Sequence, residues 1–172
     1  MRSRIQRELS AVGSASDTLD KLLNMRSRVY VDLVSGTFCS QAMDSGNEEF
    51  VEIVYEKVLG YIIDMELGKI VIDTAIYCPN RDVLLYIKAD SNVKIIEAKG
   101  KRIYPLVSEG DRVSFGNKLF YIVTGKNEVR VIKSDVRGVV VFIGEVFSNG
   151  IQQEVMTIIE EGEVREFTRC RY

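Results

Sequence analysis

Histidine is absent from this chain, and that absence excludes more chemistry than any other. Imidazole is the usual general base near neutral pH and the commonest transition-metal ligand, so Ser-His-Asp triads, Cys-His pairs, His-ligated zinc and phosphohistidine transfer are all ruled out. Ser108, Ser114 and Ser134 therefore have no such base to activate them. Cysteine is scarce: Cys39, Cys78 and Cys170 lie far apart and form no CxxC pair. Thiols so scattered are expected to be reduced, in a cytoplasmic protein, and to bind no metal. The alternative is a Cys39 to Cys78 disulfide, more natural in a hyperthermophile. Long apolar runs are missing too. The most apolar stretch, Val51 to Tyr77, is broken by Glu52, Glu56, Lys57, Asp64, Glu66, Lys69 and Asp73, whereas a membrane helix needs about 20 apolar residues in a row. The opening MRSRIQRELSAVGSASDT carries positive charge but no apolar segment, which argues against a secretory signal. Neither sign of charge dominates, with 23 Lys and Arg against 25 Asp and Glu. Phosphate backbones are gripped by clustered cations, so no general attraction to nucleic acid is expected. These absences predict a cytoplasmic protein that binds neither nucleic acid nor membrane.

What is present suits one ordinary domain or two small ones: 172 residues, 46% of them hydrophobic, suffice for a real core. Residues 1–25 read as a polar arm. Gly13 to Ser16 makes a joint in it, and Ser16-Asp17 can cap a short helix with Leu19, Leu22 and Leu23 on its apolar face. The arginines of this arm have no interleaved aromatics, so they read as solvated rather than as a nucleic-acid contact. Residues 26–97 read as a β-rich region. Val29, Val31 and Leu33 alternate with more polar neighbours, and Ser35-Gly36 turns the chain. Glu48 to Leu59 fits either a helix capped by Asn47 and stopped by Gly60, or a strand; its β-branched and aromatic content favours the strand. Tyr61 to Met65 and Lys69 to Tyr77 form a hairpin through Glu66-Leu67-Gly68. After a break at Cys78 to Asp82, Val83 to Lys88 and Asn92 to Ala98 are two more strands. Asp64, Glu66 and Asp73 are a conceivable divalent-cation set, but without the dense Asp/Asn/Gly loop of a calcium site they read as a solvated strand face.

The organising stretch is Val107 to Val146, VSEGDRVSFGNKLFYIVTGKNEVRVIKSDVRGVVVFIGEV. Gly110-Asp111 offers a turn with positive φ, Asp111 closes it through its side chain, Val113 points into a core, and Gly116 permits a second bend before the strand Lys118 to Thr124. Thr124 to Glu128 then separates two apolar strand-like runs, a hairpin pattern with Lys126 at its tip. The run E-G-D-x-V-x-x-G-x-x-L-x-x-I-x-T-x-K, followed by S-x-x-x-G-V-V, resembles the biotinyl/lipoyl domain, a barrel-sandwich of two antiparallel halves. In carrier members of that family the tip lysine bears biotin or lipoate, and Lys126 is the matching position. Its neighbours Gly125 and Asn127 differ from those usual in lipoyl and in biotin domains. Lys99 to Gly110 and Arg137 to Val146 form a weak internal repeat of glycine-led strands, but Phe147 to Gly150 lacks the second Gly-Asp turn. More loosely, the whole chain resembles a set of uncharacterised archaeal proteins with a biotinyl/lipoyl-like C-terminal half.

The expected fold is thus mainly β: an N-terminal arm with a helix (1–25), a β-rich region (26–97), and a biotinyl/lipoyl-like barrel-sandwich with a C-terminal strand extension (98–172). The expected function is a non-catalytic interaction or assembly module without a cofactor, whose N-terminal strand edges pair with a protein partner or with a second copy. The alternative implied by the resemblance is a carrier with biotin or lipoate on Lys126. An enzyme using carboxylates alone has no support beyond the presence of Asp and Glu.

Overall fold

The structure, a computed structural model, describes residues 4–7, 28–42, 46–53, 58–79, 81–148 and 151–171. It is mainly β, as the alternating patterns predict, and it divides into two compact units.

The first unit comprises Met1–Ile62, Ile70–Asp90 and Arg165–Tyr172. Its strands are β1 (Arg4–Arg7), β2 (Arg28–Asp32), β3 (Thr37–Cys39), β4 (Glu48–Ile53), β7 (Thr74–Cys78), β8 (Val83–Ile87) and β16 (Val164–Arg169), numbered in chain order. They form a closed barrel in the order β1-β4-β2-β3-β16-β8-β7. Inward residues at alternate positions fill it: Val31, Phe38, Phe50, Ala75, Leu84 and Phe167 are buried around Tyr86. The Tyr86 ring stacks on Phe167 at 5.6 Å between centroids, and its hydroxyl donates to Asp73 Oδ2 at 3.0 Å. Asp73 Oδ1 accepts from the Ala89 N–H at 2.8 Å, so this carboxylate is committed to structure.

Several expectations are corrected here. The first described element is the strand β1, paired with both β4 and β7, so at least Arg4–Arg7 belongs to the barrel rather than to a loose arm. The expected helix at residues 16–23 lies outside the described residues. Closure through β1 also removes the free N-terminal edges proposed as pairing sites, since a closed barrel has none. Residues 48–59 begin as the strand β4, but Val58–Tyr61 form a tight turn in which Gly60 takes φ +95°. The C-terminal strand β16 does not extend the second unit. It pairs in parallel with β3, Thr168 beside Thr37 and Arg169 beside Phe38. Beyond it, Cys170 is disulfide-bonded to Cys39, with 5.5 Å between their Cα atoms. Cys39 is therefore neither a reduced thiol nor the partner of Cys78, which is buried outside any disulfide.

The second unit comprises Ile63–Lys69 and Ser91–Val164. A small hairpin, β5 (Ile63–Asp64) and β6 (Lys69–Ile70), turns at Glu66 to Gly68 as expected. Asp64 Oδ1 accepts the Glu66 and Leu67 N–H groups at 2.9 Å, and Gly68 takes φ +61°. Two antiparallel sheets follow. One contains β10 (Arg102–Pro105), β12 (Lys118–Val123) and β13 (Val129–Lys133), in that order. The other runs β11 (Arg112–Val113), β14 (Gly138–Ser148), β15 (Ile151–Ile159) and β9 (Val93–Lys99). Ile96, Ala98, Val113, Phe120, Ile122, Val140 and Met156 come from both sheets into one buried cluster, so the sheets face each other across a shared core. The turn at Gly110 and Asp111 forms as its residues predict: Gly110 takes φ +90°, and Asp111 Oδ2 accepts the Ser108 N–H at 2.7 Å. Gly116 likewise bends at φ +83°. Both expected glycine-led strands form, β10 after Gly100 and β14 from Gly138, and they lie in different sheets. Gly100 stands between β9 and β10, at the change from one sheet to the other, whereas β14 continues past a register shift between Val140 and Phe142.

Candidate functional site

Lys126 stands at the exposed tip of the β12–β13 hairpin. Local hydrogen bonds hold the turn. Thr124 N–H donates to Glu128 O at 2.9 Å, Asn127 N–H donates to Thr124 O at 2.9 Å, and Glu128 N–H donates to Thr124 Oγ1 at 3.2 Å. Asn127, with φ +60°, is the residue that takes the left-handed conformation; its side-chain amide makes it one of the few non-glycine residues suited to that region. Lys101 Nζ reaches Asn127 Oδ1 at 3.5 Å across the strands.

Behind this tip lies a sheet face that the sequence reading did not single out. Strand register aligns Tyr104 with Tyr121 and Tyr121 with Val131 in one row. The next row, nearer the tip, holds Arg102, Val123 and Val129. Because successive strand residues point to opposite faces, Phe120 and Ile122 enter the core while Tyr121 and Val123 point outward. These two rows expose apolar side chains: Tyr104 is 48% exposed, Val131 39% and Val129 66%. The available signal was the alternation Arg102, Tyr104 and Val129, Val131, which places apolar groups on a face flanked by cations.

Charge is segregated on the same sheet. The segments Lys101 to Pro105 and Lys118 to Lys133 carry six Lys or Arg residues and one carboxylate, Glu128, within a chain whose acids outnumber its bases overall. Glu128 is paired to Arg130 at 3.3 Å, and Lys118 Nζ donates to the Tyr121 hydroxyl at 3.4 Å. The outer edge of β13 is open as well, since among the described residues β13 pairs with β12 alone. The Thr124 to Glu128 hydrogen bond fixes which backbone groups are free. In an antiparallel ladder bonded and non-bonded pairs alternate, so Val129 and Val131 direct their N–H and C=O groups away from β12.

A second polar feature sits on β14 and β15. Glu145 and Glu154 are direct cross-strand neighbours, on the face whose next residues, Ile143 and Met156, belong to the core. Burial, and then the Glu145 charge, hold the Glu154 carboxyl above its ordinary range. The sequence reading missed this pair because the two residues meet only through strand register. The earlier cation set does not assemble: Asp64 and Asp73 serve backbone and tyrosine donors, and no group of three or more metal-ligating side chains occurs among the described residues. Among the described residues, no helix is long and apolar enough to cross a membrane.

Residues 19–161 match an uncharacterised protein family conserved in archaea (DUF2118), and the chain belongs to that family. A protein of Methanocaldococcus jannaschii, itself named as uncharacterised, is 26% identical over 116 residues, which span 66% of this chain and 68% of that relative.

Proposed function

We propose that this chain is a non-catalytic interaction module whose second unit is a biotinyl/lipoyl-like barrel-sandwich, with the outer face of β10, β12 and β13 as its working surface. The observation that carries the reading is the outward row Tyr104, Tyr121 and Val131, with Tyr104 and Val131 exposed and Tyr121 partly so. Side chains of this kind gain free energy when a partner removes them from water. The sandwich reading is supported by the two facing sheets and by the Gly110-Asp111 and Gly116 bends that fall where the resemblance places them. The proposal keeps the module in the cytoplasm, a setting in which its disulfide would require a hyperthermophilic host. Co-purification from native extract, with light scattering, tests the reading. A chain that remains monomeric and alone at every concentration overturns it.

The second reading, a carrier with biotin or lipoate on Lys126, is favoured by one observation: the amine is exposed at a tight hairpin tip, where a modifying enzyme could reach it. Intact mass of the chain from its native host decides the matter. Added mass that disappears in Lys126→Ala supports attachment, and an unmodified native chain removes it.

A further inference from the structure

We infer that the open edge of β13 accepts an acidic, extended polypeptide segment as an additional strand of the β10-β12-β13 sheet. This rests on the reading of the chain as an interaction module and names its partner's chemistry. Strand addition needs a row of unsatisfied backbone donors and acceptors with side-chain sites beside it. The outward N–H and C=O groups of Val129 and Val131 supply the row. The exposed side chains of the same two residues supply the apolar sites.

The remaining edges of this unit suit the task less well. The strand β11 has two residues, and β10 has four and ends at Pro105, which has no N–H to offer. The longer β9 is neutralised along its length, Lys94 by Asp135 at 2.8 Å and Lys99 by Glu97 at 3.3 Å. Among the described edges of the two facing sheets, β13 combines a five-residue open ladder with a net positive charge, Lys126, Arg130 and Lys133 against Glu128.

That charge also selects the occupant. In the register that sets Val129 opposite Val131, antiparallel pairing of β13 with the β13 of a second copy would put Arg130 opposite Arg130, and like charges across a strand pair are destabilising. An acidic segment reverses the sign of that contact. Nucleic acid would answer the charge but not the free backbone row, which a strand satisfies and a phosphate chain does not.

The test uses the full chain and three probes: a capped peptide of alternating Glu and Val, about ten residues long to span the strand, its Lys-Val counterpart, and single-stranded oligo-dT of comparable length. Binding is read by fluorescence anisotropy, and the site by amide hydrogen exchange. The Glu-Val peptide should bind more tightly than either other probe, slow exchange at the Val129 and Val131 amides, and weaken about tenfold or more in Arg130→Glu/Lys133→Glu. In Val131→Pro, which removes one outward N–H while leaving the β12 ladder intact, binding should also fall. Should that variant fail to fold, the charge reversal and the exchange pattern carry the test. Tighter binding of oligo-dT, no preference for Glu-Val over Lys-Val, or binding that leaves the β13 amides unprotected overturns the inference. A native partner that the charge-reversed variant still retains would sink this inference while leaving the interaction-module reading standing; a chain with no native partner would sink both.

Discussion

Val131 on β13 stands directly opposite Tyr121 on β12, and both side chains turn away from the core that Phe120, one residue before Tyr121, helps to fill. That one-residue reversal separates stability from binding. Phe120 is fully buried, so Phe120→Ala should cost about 3–5 kcal/mol. Tyr121→Ala removes an outward, partly exposed ring and should cost roughly 1 kcal/mol or less, while weakening partner capture. Urea unfolding of both variants, read beside native co-purification, checks the contrast. Equal stability losses would mean that the outward row is part of the core.

Gly138 opens β14 where a Cβ would collide with the Ile159 carbonyl oxygen and press on Ile158 Cγ2. Backbone cannot swing aside as a flexible side-chain end can. Gly138→Ala should therefore cost about 2–4 kcal/mol despite adding a single methyl group. Gly125→Ala, with nothing within 4 Å of the added atom, is its control and should be close to neutral.

The Cys39–Cys170 bond closes a loop with a sequence separation of 131 and ties the residue after β16 to β3. Cross-linking so long a loop restricts the unfolded chain, which is worth about 3–5 kcal/mol in the chain-entropy account. Reduction, or Cys170→Ser, should lower the melting temperature of the first unit and leave the second unit's transition in place. Intact mass before and after reduction and alkylation establishes the bond, and calorimetry reads the effect.

Glu154 carries a raised carboxyl pKa in the folded chain, first from burial and then from Glu145. The folded state therefore holds this proton more tightly than the unfolded state. Stability falls as pH rises from the ordinary value of 4.5 through the higher folded value, and the penalty is fully present above it. Glu154→Gln should stabilise the second unit at pH 7 by about 1 kcal/mol or less, since solvent still reaches the half-buried group and screens the effect. The gain should vanish below the ordinary carboxylate range. Melting temperatures of both proteins against pH give the sign.

Much of the second unit was legible because its signals are local. Gly110-Asp111, Gly116 and the Thr124 to Glu128 turn act through neighbouring backbone, and the alternation Phe120, Ile122 against Tyr121, Val123 assigns faces without further help. What escaped depends on distant pairing. The pattern in Val164 to Thr168 predicts a strand, but nothing within it says that the strand lies beside Thr37–Cys39, or that Cys170 thereby meets Cys39. Residues 48–59 hold both the strand Glu48–Ile53 and the start of the Val58–Tyr61 turn, in which Gly60 takes a positive φ. Within the candidate site, Lys126 and its hairpin could be read from the chain. The rows Tyr104–Tyr121–Val131 and Glu145–Glu154 needed the register.

Comparative affinity purification from the native host tests the central claim most directly, using the intact chain, Lys126→Ala and Val129→Glu/Val131→Glu. The account predicts a stoichiometric polypeptide partner recovered with the intact chain and with Lys126→Ala, and lost with the double variant. Recovery of the chain alone, or of the same partner in equal amount with the double variant, would contradict it.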